Sequence, residues 1–249
     1  MLQAFFNLNR SVCRAIRPHL PQARENLFAK YEETVVRYMG HRADQIVIDI
    51  GGGKSCPFAK HANAEARTTI VALDISAEEL RSNADVTLKV VGDLTGRMPM
   101  GNETADLIVS RSVLEHLEDL DSFMRECLRV LKKGGYTIHL LPSKYAPFAV
   151  LNQVLPNFIS KRLLRFFHQG SAGICGFPAF YHQCFYSAMK DVLQKNSFRI
   201  VGMELDFEQS NYFNFFVPIF LLTALYEALI RRLGIKNMCA FVLVVAQKI

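Results

Sequence analysis

The sequence predicts an α/β fold in which a mostly parallel sheet carries helices on both faces. Three observations lead there. From Ala43 onward, short runs rich in β-branched residues alternate with longer stretches whose apolar residues recur every three or four positions. The central runs, IVIDI at 46–50 and TIVALD at 69–74, are nearly continuous in apolar residues, as strands buried on both faces must be. The first of them runs into three glycines, 51–53, where the backbone is free to turn sharply out of a strand.

Taken in order, the expected strands are Gln45–Ile50, Thr68–Asp74, Val86–Val91, Ala105–Ser110, Tyr136–Leu141, Ser197–Glu204 and Ala240–Gln247. The clearest helix is Glu115–Lys132, where Leu117, Leu120, Phe123, Met124, Cys127, Leu128 and Leu131 fall at threes and fours and Gly134-Gly135 closes the run. The chain has 249 residues, enough for one domain with decorations. Those decorations are a basic helical N-terminal extension over 1–42 and two apolar helical insertions, at about 142–182 and 209–236, on a core domain spanning 43–249.

Charge and composition narrow the functional classes. Half the residues are apolar and the formal net charge is +6, but the excess is clustered. No acid precedes Glu25, whereas Arg10, Arg14, Arg17 and Arg24 do; Lys161, Arg162 and Arg165 follow the uncharged stretch 145–159, and Arg231, Arg232 and Lys236 follow the uncharged stretch 212–226. Cations beside apolar runs suit a membrane-facing surface, and the aromatic-basic interleaving of a single-strand nucleic-acid binder is missing, so no nucleic-acid partner is expected. The stretch 212–226 contains Asn214 and Pro218 and is short of a span, which favours an interfacial helix; packing of both apolar segments as an ordinary lid is the plainer alternative. Six widely spaced cysteines with no C-x-x-C pair read as reduced thiols, and no metal site is expected. A cytoplasmic protein touching the membrane peripherally is the expectation, with a mitochondrial transit peptide as the alternative reading of the Arg-rich start.

The glycine junction suggests a ligand. Asp49, Gly51 and Gly53 form Asp-x-Gly-x-Gly at a strand end, where a ligand can approach without a Cβ in its way. A dinucleotide fingerprint would require glycine at Cys56, which counts against a nicotinamide oxidoreductase. Asp74 ends the next strand, placed to accept from both hydroxyls of a ribose; Asp93 ends the third; Ser110, Arg111 and Ser112 end the fourth. These four strand ends form a Rossmann-like half with the parts of a nucleoside pocket. Each residue also has a plainer reading, Asp49 as a turn-ordering group and Asp74 as a helix N-cap.

With VLEHL at 113–117 and LKKGG at 131–135, this set resembles the class I S-adenosylmethionine-dependent methyltransferases over about 45–141, and VLVVAQK resembles that family's last, antiparallel strand. The resemblance implies a seven-stranded sheet and S-adenosyl-L-methionine as cofactor. It places Asp49, Gly51 and Gly53 at the aminocarboxypropyl end, Asp74 at the ribose, Asp93 and Leu94 at the adenine, and Ser110 and Arg111 at the sulfonium. Ser55 stands where a third glycine is common in that family. Methyl transfer to a hydroxyl also calls for a base; His116, Tyr145 and His182 are the candidates, with His168 and Tyr181 nearby in sequence. The apolar decorations point to a small-molecule or lipid-linked acceptor and to O- or C-methyl transfer. A non-catalytic nucleoside-binding or membrane-interaction protein on the same fold is the alternative.

Overall fold

In a computed structural model of the chain, described here over residues 2–21, 26–40, 43–62, 67–155 and 178–249, all seven expected strands are present. They are β1 (Ile46–Ile50), β2 (Thr69–Asp74), β3 (Leu88–Val91), β4 (Ala105–Arg111), β5 (Leu131–Pro142), β6 (Phe198–Asp206) and β7 (Phe241–Lys248), in the spatial order β3-β2-β1-β4-β5-β7-β6. β1, β2, β3, β4 and β5 pair in parallel, while β7 is antiparallel to both β5 and β6, so β7 alone is reversed.

The helices are α1 (Leu2–Ile16), α2 (Leu27–Tyr38), α3 (Ala77–Ser82), α4 (Leu120–Val130), α5 (Pro147–Val154), α6 (Tyr186–Lys195) and α7 (Val217–Leu233). One sheet face, with Ile48, Ile50 and Ile108, packs against Phe123 and Met124 of α4 and Met189 of α6. The other, with Val47, Leu107 and Val109, packs against Leu27, Tyr31 and Val35 of α2. Burial on both faces explains the unbroken apolar strands, each fully buried Val or Ile contributing roughly 1.5–3 kcal/mol.

Two expectations are corrected. The helix expected over 115–132 is split: Leu114–His116 form a separate 3₁₀ turn, and α4 starts only after Asp119, whose side chain accepts from the Ser122 amide and caps it. Its end is also earlier, because the chain turns extended at Leu131 and enters β5, with Leu131 paired to Ala105; Gly134-Gly135 therefore lies inside a strand and not at a helix terminus. The N-terminal helix is joined to the second apolar insertion: α1 packs on α7, with the Phe5 and Phe216 rings 6.3 Å apart and the Val217 amide donating to Asn9 at 3.0 Å. Much of the first insertion, with His168 and the basic cluster 161–165, lies outside the described residues.

The strand order reverses between β1 and β4, and in open parallel sheets that switch point opens a crevice beyond the strands' C-terminal ends. Asp49 and Arg111 occupy those two ends.

Candidate functional site

The site begins with the turn after β1. The Gly51 amide donates to the Leu73 carbonyl of β2 at 2.8 Å, and Gly51 takes a left-handed conformation, φ 70°. A Cβ there would lie 2.3 Å from Cγ2 of Val113, so glycine is required twice, by torsion and by space. Asn83, 1% exposed, donates from Nδ2 to the Gly52 carbonyl at 2.7 Å and pins the loop from below. The Gly53 amide donates to Oδ2 of Asp74 at 3.1 Å, and the Ser76 amide donates to its Oδ1 at 2.8 Å. Each Asp74 oxygen thus keeps a lone pair for a further donor. The N-cap reading of Asp74 is displaced by two residues: Ser76 caps α3, through its hydroxyl and the Glu79 amide.

Asp49, Gly51 and Arg111 share a cavity of about 60 Å³ with Tyr31, Glu32, Ser55, Pro57 and Phe58. Burial pushes the Asp49 carboxyl up to about 7; a hydrogen bond from the Cys56 thiol and the Arg111 charge pull it back down, and Asp74 adds to the rise. The Arg111 guanidinium donates to Glu32 of α2 at 3.2 Å. Tyr31 is 2% exposed, its hydroxyl has no hydrogen-bond partner, and burial beside Asp49 pushes its pKa well up. A buried hydroxyl without a partner at a cavity wall is costly unless a ligand supplies one.

The other expected residues are placed differently. Asp93 is exposed and accepts from the Thr95 amide at 2.8 Å, which holds its carboxyl below the ordinary value, while Leu94 packs on the core. Ser110 is fully buried on the opposite sheet face from Arg111, with its hydroxyl 2.7 Å from Nδ1 of His139, and is not among the residues lining the cavity. Alternation along β4 sends neighbouring side chains to opposite faces, which is why Ser110 and Arg111 cannot both look into one pocket. His139 bonds Thr137 on its other nitrogen at 2.5 Å and is held neutral, its pKa pushed down by burial to about 3.

Of the acid-base candidates, His116 donates from Nδ1 to the Pro178 carbonyl at 2.7 Å, and burial lowers its pKa. Tyr145 is exposed, its ring 5.1 Å from that of Phe185; His182 is exposed and stacks on Phe180 with centroids 5.8 Å apart. None of these three lines the 60 Å³ cavity.

Tyr31, Glu32, Cys56, Phe58 and Asn83 escaped the sequence reading. α2 precedes the glycine strand and shows only ordinary helical periodicity, and Cys56 stood out as a missing glycine when its role is to hydrogen-bond Asp49.

The residues present fit an aminocarboxypropyl group: a carboxylate (Asp49) and a guanidinium (Arg111) face one small cavity, complementary to an ammonium and a carboxylate, with an unpartnered hydroxyl beside them. Asp74, at the end of the neighbouring strand β2, offers free lone pairs to a diol. Among the described residues no group of His, Cys, Asp and Glu is arranged to hold a metal ion.

Known proteins resemble the chain in one matched segment and in fold. The methyltransferase domain family matches residues 48–139. A Mycolicibacterium smegmatis protein described as a probable S-adenosylmethionine-dependent methyltransferase is 27% identical over 126 residues, 49% of this chain and 48% of that protein. The chain thus spans about half the length of the curated relative it matches. An S-adenosylmethionine-dependent methyltransferase from Mesorhizobium loti superposes with a TM-score of 0.55 at 17% identity, covering 88% of this chain and 98% of that one. Geranyl diphosphate C-methyltransferase from Streptomyces coelicolor gives a TM-score of 0.55 at 13% identity, covering 90% and 81%. Residues 48–139 thus match the methyltransferase domain family, within a sheet whose strand order and glycine turn fit the resemblance to the class I S-adenosylmethionine-dependent methyltransferases.

Proposed function

We propose that the protein transfers the methyl group of S-adenosylmethionine to an oxygen or carbon of a lipid-soluble acceptor, working against a membrane surface. The observation that carries the cofactor half is the opposed pair Asp49 and Arg111 on one cavity beside a left-handed glycine. When bound there, S-adenosylmethionine supplies an electrophilic methyl group. Asp49 and Arg111 hold its amino-acid end, Asp74 its ribose hydroxyls and Asp93 with Leu94 its adenine side. The side chains do little covalent work in such a reaction; alignment of donor and acceptor and exclusion of water lower the barrier.

The acceptor half rests on surface chemistry. α1 and α7 lie together and expose Leu2, Leu8, Leu222, Leu225, Leu229 and Leu233, with Arg10, Arg14 and Arg232 on the same two helices. Among the described residues no helix is long and apolar enough to cross a membrane, so this face suits lying in an interface and not spanning it. The isoprenoid named for the Streptomyces coelicolor structure is an acceptor of compatible kind.

Calorimetric titration with S-adenosylhomocysteine and with NADH tests the cofactor reading. Binding of the first and not the second is expected. Asp74→Ala should weaken S-adenosylhomocysteine by roughly 100-fold, the loss of charge-assisted hydrogen bonds worth about 1.5–3 kcal/mol. Equal binding by the variant, or preference for NADH, overturns the assignment.

A further inference from the structure

Four residues after Arg111, in the 3₁₀ turn Leu114–His116, a second carboxyl is buried outside the lining of the 60 Å³ cavity. Glu115 is 5% exposed, and its Oε2 has no hydrogen-bond partner. The turn is clamped by the following loop: the Phe180 and Tyr181 amides both donate to the Glu115 carbonyl, at 2.7 and 3.1 Å, and His116 donates to Pro178. Two non-glycine residues on this frame, Ser112 and Tyr181, sit in the left-handed region with φ 55°, a strain that the surrounding contacts must hold in place.

The neighbours of Glu115 are aromatic. Tyr181 and Tyr212 both lie close enough to feel its charge, and so does Cys184. Asn152 of α5 reaches the Tyr181 hydroxyl at 3.5 Å, and the Phe148 ring stacks on Tyr212 with centroids 4.6 Å apart. A buried carboxyl oxygen without a partner is costly, and a ligand hydroxyl that donates to it, carried on an apolar ring suited to the tyrosines nearby, offsets that cost.

We propose that Glu115 is the proton acceptor for a phenolic hydroxyl on the methyl acceptor, held against Tyr181, Tyr212 and Phe148. This rests on the methyltransferase reading. In the step, the hydroxyl proton passes to Oε2 of Glu115, the oxygen lone pair takes the methyl group, and the electron pair of the broken carbon–sulfur bond stays on sulfur. Charge balances, since the cationic donor becomes neutral and the carboxylate becomes a carboxylic acid.

The protonation chemistry agrees. Burial pushes Glu115 up to about 8, within reach of a phenol and far from an aliphatic alcohol. The titratable groups facing it are Tyr181 and Cys184 from the 178–185 loop and Tyr212 from the turn Ser210–Phe213. Burial raises both tyrosines to about 12 and the thiol further, with Lys144 beside Cys184 and Asp206 beside Tyr212 as the next charges out. Between pH 7 and 9 Glu115 is therefore the group in this cluster that changes charge.

The test uses the whole protein saturated with S-adenosylhomocysteine and titrated with 4-hexylphenol and its methyl ether, 4-hexylanisole. A carboxylate accepts from the phenol and can do nothing for the ether. The wild type should prefer the phenol by tenfold or more above pH 8, with the preference shrinking as the pH falls through 8. In Glu115→Gln the preference should be below threefold and flat with pH. A purely structural glutamate would leave the preference unchanged in the variant, and that result overturns the proposal. So does failure of the wild type to bind the phenol, or to distinguish it from the ether. The wild-type pH dependence decides the matter should Glu115→Gln fail to fold. If S-adenosylhomocysteine itself does not bind, the cofactor reading falls, while the same titration on the free protein still decides the role of Glu115.

Discussion

Gly51→Ala isolates the two demands the structure places on the glycine turn. At φ 70° an alanine meets the left-handed penalty of about 1–2 kcal/mol. Its Cβ would also stand 2.3 Å from Cγ2 of Val113, more than 1 Å inside ordinary contact by the usual ~3.5 Å carbon separation. Val113 is half-buried and β-branched, so it cannot rotate away freely, and relief of such an overlap costs about 1–3 kcal/mol. The sum is a loss of about 2–5 kcal/mol, read as a urea midpoint about 0.7–1.7 M lower at a slope near 3 kcal/mol/M. Val113→Ala removes the clashing methyl but not the torsion. The double variant Gly51→Ala/Val113→Ala should therefore recover about 1–3 kcal/mol over Gly51→Ala and keep the remaining 1–2 kcal/mol deficit. A Gly51→Ala protein within about 0.5 kcal/mol of wild type would refute the torsional argument, and a double variant no better than the single would refute the steric one. S-adenosylhomocysteine titration of the double variant then separates cofactor approach from stability, since an added Cβ at position 51 also fills the cavity wall.

Two further predictions concern charge and surface. Asp49, at about 7 in the free protein, must be ionised to hold an ammonium group, so S-adenosylhomocysteine affinity should fall about tenfold per pH unit below 7 and level off above it, with Asp49→Asn flat across pH 5.5–8. Proton release on binding, compared in two buffers of different ionisation enthalpy, checks the sign independently. On the α1–α7 face, Leu222→Glu with Leu225→Glu should lower partitioning onto phosphatidylglycerol vesicles by about 100-fold, two leucines contributing roughly 3 kcal/mol or more, with cofactor affinity unchanged. Unaltered partitioning, or binding that is insensitive to salt and to the anionic lipid fraction, would remove the interfacial reading of those helices.

All seven strands were legible in the sequence because burial on both faces of a parallel sheet forces runs such as IVIDI and TIVALD to be apolar throughout. The glycine turn was legible too, since a positive φ and a close approach leave few other residues possible at Gly51. Asp74 could be placed at the end of its strand by the same local logic. What lies between elements was not written locally. The split between Glu115 and α4 depends on a capping choice at Asp119 that competes with an equally good helical period, and the β5 start at Leu131 is decided by pairing with Ala105 across the sheet. The face on which Ser110 falls is set by strand register, which brings it to His139 and sends Arg111 toward Asp49. Tyr31 and Glu32 reach the cavity only because α2 packs over the β1 side of the sheet, and α1 meets α7 across about two hundred residues of chain, Asn9 to Val217. Composition and spacing determine which residues must be buried and where the backbone must turn, because those constraints act within a few residues. Which buried carboxyl faces a cavity and which side chain shields it are consequences of long-range packing, and only the tertiary structure decides them.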